Sequence, residues 1–213
     1  LEKALAKAYG GYDRLYNGAS NYVLRDLTGA SVVTESIIHI AEKQKITERE
    51  EKHMNELFKK ISKMLERGYI LSVIPRKTNK LEERRNALLQ IFNKKHFLGN
   101  GIYSCHEYAI LSSRAVKNSK GEEEKILQLR NPWINEIWEG DWSKESDLWT
   151  EELKKELSYN PQKNGNSQFW ISIKDVMNYF EHLQICRVVP GYKFNAIKLK
   201  YPKKTFLRAV IRF

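Results

Sequence analysis

Two β-type runs, Ile102 to Ser112 and Glu124 to Arg130, flank Asn118-Ser119-Lys120-Gly121, and no other stretch constrains the fold as tightly. Asn, Ser and Gly are turn residues, so the pattern reads as a hairpin. A tight turn joins antiparallel strands only, because parallel neighbours need a crossover of a dozen or more residues. With the turn centred between Asn118 and Ser119, His106 stands opposite Asn131. Tyr108 with Leu129 and Ile110 with Leu127 continue that face. Glu107 then opposes Arg130 on the other face, an opposite-charge pair that favours this register.

The flanking segments supply helices and more strands. Leu1 to Tyr9 reads as a short helix with Leu1, Leu5 and Ala8 on one stripe, stopped by Gly10-Gly11. Residues 17–31 read as loop. Thr47 with Glu50 is a capping box. Met54, Leu57, Phe58, Ile61 and Leu65 follow at helical spacing, and Gly68 ends the helix. Tyr69 to Ile74 is an apolar strand closed by Pro75. Lys80 to Lys95 and Trp149 to Leu157 read as helices, as does the segment that Ser172 and Asp175 open and that runs to Phe180. Asn160 to Ser167 is a loop. Phe169 to Ile171, Leu183 to Val189, Tyr192 to Tyr201 and Thr205 to Phe213 read as strands. Helices and strands do not alternate as βα units. The class is therefore α+β, with a mostly antiparallel sheet flanked by helices.

Composition narrows the function. Five Trp, eleven Tyr and eight Phe in 213 residues supply enough core material to exclude disorder over the whole chain. No apolar run approaches the roughly 18 residues of a membrane-spanning helix. The formal net charge is +11, from 37 Lys and Arg against 26 Asp and Glu, but acids and bases are interspersed almost everywhere. A basic binder of nucleic acid or an anionic surface is therefore kept only as a third reading. The two cysteines, Cys105 and Cys186, form no C-x-x-C pair. They suit a reduced, intracellular compartment, and each reads first as a small buried apolar residue. The chain starts Leu1-Glu2-Lys3-Ala4 with no initiator Met and no secretory pattern, as expected of a piece of a longer protein.

The chemistry sits on the hairpin. A histidine facing an asparagine side-chain oxygen is the base and its orienter in a cysteine-protease triad. On this reading Asn131 accepts the Nδ1–H of His106 and leaves Nε2 to exchange a proton with a thiol. The imidazolium so formed lowers the thiol pKa, and the thiolate attacks.

The local sequence then reads Cys105-His106-Glu107-Tyr108-Ala109-Ile110, Leu129-Arg130-Asn131-Pro132-Trp133, Trp138-Glu139-Gly140-Asp141-Trp142 and Gln168-Phe169-Trp170. In this order the blocks resemble the second half of the protease core of calpains, intracellular cysteine endopeptidases of papain-like architecture. Leu1 through Tyr12, Asp26-Leu27-Thr28-Gly29-Ala30 and Glu66-Arg67-Gly68 extend the resemblance over about residues 1–190. It implies a β-sheet or barrel core within residues 31–190, preceded by the closing helix and linker of a first subdomain in residues 1–30. Residues 76–100 fall outside it as an insertion, and residues 191–213 are C-terminal strands or the start of a following domain. It implies His106 as catalytic base, Asn131 as its orienter and Trp133 as the ring that keeps water off their hydrogen bond. Trp138, Trp142 and Trp170 read as structural.

The resemblance also implies what this chain lacks. Calpain nucleophiles lie in the first half of the core, upstream of His106. Cys105 would point away from His106 on a strand, and Cys186 matches a structural position. The chain by itself is expected to hydrolyse nothing, although the full-length protein would be a cysteine endopeptidase acting on protein substrates. Cys105 and Glu107, where the family has Gly and Ala, would border the substrate cleft and alter it. The positions matching the family's calcium ligands hold Ile137, Lys144, Asn164, Asn166 and Gln168. No metal or cofactor is expected in this segment, with calcium left open for the rest of the protein. The first subdomain of the same protein is the expected partner, in the cytoplasm. A pseudoprotease or regulatory module of the same fold is the second reading.

Overall fold

Alternation along the β-type runs sorts side chains onto two faces, and the computed structural model shows what each face meets. It describes residues 1–15, 20–41, 46–77, 100–104, 106–132, 138–160, 167–189 and 191. Among these residues the strands are β1 (Val32–Ser36), β2 (Ile70–Pro75), β3 (Tyr108–Lys117), β4 (Glu123–Arg130), β5 (Gln168–Ser172) and β6 (Phe180–Cys186). They are hydrogen-bonded in the order β1-β6-β2-β3-β4-β5, every pair antiparallel. The helices are α1 (Glu2–Tyr9), α2 (Ser20–Thr28), α3 (Glu48–Glu66), α4 (Glu151–Glu156) and α5 (Ile173–Tyr179), with a 3-10 turn at Tyr12–Leu15. This is the expected α+β class with an antiparallel sheet. Among the described residues the sheet is open, its edges being β1 and β5, so the barrel form of that expectation is corrected.

Cross-strand pairing carries the two faces across the sheet. Ile185, Leu71, Ile110, Leu129 and Phe169 form one row over five strands, and all five are buried. The neighbouring row on the opposite face is Thr34, Gln184, Ser72, Ala109, Arg130 and Gln168. Apolar inward and polar or small outward is the period-2 pattern of a sheet with one face on the core. α3 covers the apolar face with Ile61, Met54, Leu57, Phe58 and Leu65, and α5 adds Ile173, Val176 and Met177. The caps read from sequence start both helices, a capping box at α3 and a serine N-cap at α5. Thr47 Oγ1 accepts from Glu50 N–H while the Glu50 carboxylate accepts from Thr47 N–H, and Ser172 Oγ accepts from Asp175 N–H. A second core, built on Trp142, Trp149, Tyr159 and Trp170, lies against the other face where Ile126 points outward.

Three expectations are corrected. Residues 20–28 are helix α2 rather than loop. Gly29, at φ 68° with its N–H on the Arg25 carbonyl, is that helix's left-handed C-terminal cap, not a loop marker. Val32–Ser36, a segment beyond the expected loop to which the sequence assigns no element, forms edge strand β1. The hairpin register differs as well. Asn118 turns back on itself, its side-chain oxygen accepting from Lys120 and Glu122 N–H, so the stem closes at Lys117 opposite Glu123. A bulge between Ile110 and Ser112 then leaves Ile110 opposite Leu129 and Ala109 opposite Arg130. Tyr108 with Leu129, Ile110 with Leu127 and Glu107 with Arg130 are therefore not the pairs. The helix at Lys80–Lys95, the strands at Tyr192–Tyr201 and Thr205–Phe213 and most of the 160–167 loop lie outside the described residues.

Candidate active site

The expected opposition of His106 and Asn131 rested on a register that the hairpin does not adopt. The two side chains nevertheless meet, His106 Nε2 lying 2.8 Å from Asn131 Oδ1. Continuing the Ala109–Arg130 pairing puts Tyr108 level with Asn131. His106 stands two residues further along, on the same face as Tyr108 and diagonal to Asn131. The expected pairing was thus out by two residues, and an even offset keeps a side chain on its face. Diagonal neighbours are within reach of a long or aromatic side chain. His106 is not itself in a strand. It lies in the segment leading into β3, two residues before Tyr108. Cys105 and Trp133 lie outside the described residues.

The pair is fixed by the backbone and by aromatic rings. Asn131 is 2% exposed, and its N–H donates to the Ser167 carbonyl at 2.7 Å, tying the end of β4 to the start of β5. The imidazole meets the edges of two buried tyrosines, Tyr108 at 5.0 Å between centroids and Tyr103 at 6.1 Å. The Tyr108 hydroxyl accepts from Tyr103 N–H at 3.0 Å, closing the segment around the histidine. Below, Tyr108 packs edge-on against Phe169 and Phe180, so the imidazole stands at the top of an aromatic column rooted in the core. This cradle went unread in the sequence, although Tyr103-x-x-His106-x-Tyr108 was a visible signal.

An amide oxygen can only accept, so the nitrogen facing it carries the proton. That nitrogen is Nε2, which reverses the expected assignment of the two ring nitrogens. Burial pushes the His106 pKa below its ordinary value. The Asn131 hydrogen bond and the charge of Glu107 both act in the opposite direction. Glu107 accepts a hydrogen bond from the buried Ser72 of β2 rather than pairing with Arg130. Among the described residues, no three His, Cys, Asp or Glu side chains gather as metal ligands would. No described helix is long and apolar enough to cross a membrane.

The Trp138-x-Gly140-x-Trp142 block is structural. A Cβ on Gly140 would sit 2.2 Å from the Trp138 ring, and Trp138 Nε1 donates to the Asp141 carbonyl at 2.9 Å. Trp138 stacks on Phe169, and Trp142, fully buried, donates from Nε1 to Glu124 at 2.9 Å.

Comparison with known proteins places this geometry in context. Residues 1–187 match the profile of the calpain family cysteine proteases. The calpain-type cysteine protease ADL1 of Oryza sativa subsp. japonica is 32% identical over 191 residues, which are 89% of this chain and 8% of that protein. Human calpain-14 is 30% identical over 194 residues, 90% of this chain and 24% of its own length. The human calpain-1 catalytic subunit is 30% identical over 192 residues, 89% and 23% respectively. The chain thus spans a quarter or less of each of these relatives.

Proposed function

The chain belongs to the calpain family of cysteine proteases, and from that premise we propose that it supplies the base and orienter of a two-part protease core. The observation that carries the proposal is the 2.8 Å contact of His106 Nε2 with Asn131 Oδ1, at the end of a hairpin and half out of solvent. Asn131 holds the ring with Nε2–H toward itself, which turns Nδ1 into the proton-exchanging atom. His106 takes the proton of a cysteine thiol from the first half of the core, and the thiolate attacks the substrate carbonyl carbon. The imidazolium returns that proton to the leaving amine, and water then hydrolyses the acyl-enzyme. Trp133 is the ring we assign to keeping water off the His106–Asn131 bond, which strengthens it. Without the nucleophile, residues 1–213 alone are inactive.

We propose no calcium site in this segment, with calcium left open for the rest of the full-length protein. Of the positions where the family's ligands would stand, Lys144 is a cation and Gln168 already accepts from Gln128 Nε2 at 3.2 Å. Neither suits an ion that wants several charged oxygens. A second reading, a pseudoprotease that keeps the cleft for binding, is favoured by Glu107, a charge beside the base. Replacing His106 by Ala in the full-length protein should abolish peptide hydrolysis, by about a thousandfold or more. Retained turnover would overturn the assignment, and a wild-type protein that cleaves nothing would favour the second reading.

A further inference from the structure

On the polar face of the sheet, the chain neighbours of the catalytic pair border one cavity of about 500 Å³. Glu107 follows His106, while Arg130 and Pro132 flank Asn131. Its walls are Val23 and Leu24 of α2 with Ile70 of β2, and its floor is the outward row of Ser72 and Ala109. The volume is that of a pocket for a small ligand or a single large side chain. Resting on the protease reading above, we propose that this pocket, on the face of the sheet opposite the imidazole, receives a side chain of the bound substrate. Glu107 in it selects lysine or arginine, an aliphatic stem with a cationic head.

The apolar walls suit a methylene stem, and the carboxylate suits the head. Ser72 takes one acceptor position on Glu107, and an ionised carboxylate has about four. Because the donor is a buried strand residue, the carboxylate is held in place before substrate arrives. A leucine in the same pocket would strip water from Glu107 and give no partner back, which costs more than the apolar contact returns. Arg130 also borders the cavity, but it is exposed and water screens its charge. Glu107 is half-buried beside apolar walls, where a charge acts more strongly.

The test uses the full-length protein carrying His106→Ala, so that nothing is turned over. Labelled alanine-based peptides with a single lysine or leucine scanned along their length are titrated by fluorescence anisotropy. At one position lysine should bind about tenfold or more tighter than leucine, the size of a charge-assisted hydrogen bond. Glu107→Gln should bring that ratio to about one, by weakening the lysine peptide and relieving the penalty on the leucine peptide. Equal binding at every position, or a lysine preference that survives Glu107→Gln, overturns the proposal. So does a preference that emerges only in Arg130→Ala, since Arg130 would then be neutralising Glu107. Cleavage of the same peptides by the wild-type protein separates the two claims. Binding preference without cleavage sinks the protease reading and leaves the pocket standing.

Discussion

His106 carries opposing influences, and their signs give measurable consequences. Burial dominates and lowers its pKa, against the Asn131 hydrogen bond and the Glu107 charge. Removing either opponent should lower the value further. A proton NMR titration of the ring should therefore show wild type below about 6.5 and Asn131→Ala lower still. An unchanged value in Asn131→Ala would mean that the bond does not favour the charged ring. The same shift links to stability. A folded value below the unfolded one means that the unfolded chain takes up the proton first as pH falls. This contribution is present above about pH 6.5 and is lost as pH falls through the folded value. Urea midpoints at pH 7.5 and 5.5 should differ more in wild type than in His106→Ala. The meeting of the two residues was legible in the sequence because face depends only on parity, and beyond the bulge the register is offset by an even number. The nitrogen assignment was not legible, since it depends on which side of the ring the end of β4 approaches.

At the scale of elements, local chemistry was readable where it is self-contained. The Thr47–Glu50 and Ser172–Asp175 caps need only four residues each, and both form as read. Thr47→Ala should cost about 1 kcal/mol in chemical denaturation, with no change in the slope against denaturant. The Gly140 site is tighter. Gly140→Ala drives a methyl into the Trp138 ring and should cost about 1–3 kcal/mol, seen as a lower melting temperature. Elements defined by distant partners were not readable. β1 is a strand because β6 pairs with it, and five residues at a sheet edge carry little pattern of their own. α2 was hidden between glycines, although Val23, Leu24 and Leu27 have helical spacing and Ser20 reaches Gln184 of β6 at 2.7 Å. The register failed because Asn118 folds back into the turn and a bulge follows, neither of which appears in an alternation of polar and apolar residues.

Across the whole molecule, one sheet separates two environments. The apolar face roots the imidazole in the core through Tyr108, Phe169 and Phe180. Its neighbouring row presents Glu107 and the pocket to the other side. Phe169→Ala should destabilise the protein by about 3–5 kcal/mol and broaden the His106 ring signals, because the column under the imidazole loses its base. A stability loss with unchanged His106 signals would mean that the site is held independently of the core. The +11 charge is a property of the full sequence, and among the described residues acids and bases are mixed. Exposed pairs such as Lys154–Glu151 at 3.0 Å mix the signs over the surface.

The central claim is that His106, oriented by Asn131, turns a thiol elsewhere in the full-length protein into a thiolate. The rate of alkylation of that thiol by iodoacetamide, followed against pH, reads this directly. In the wild-type protein the rate should already be high well below the ordinary cysteine pKa of about 8.5, and in His106→Ala its rise should move up toward that value. Profiles that coincide in the two proteins, or the lack of any thiol reactive below pH 8, would contradict the account.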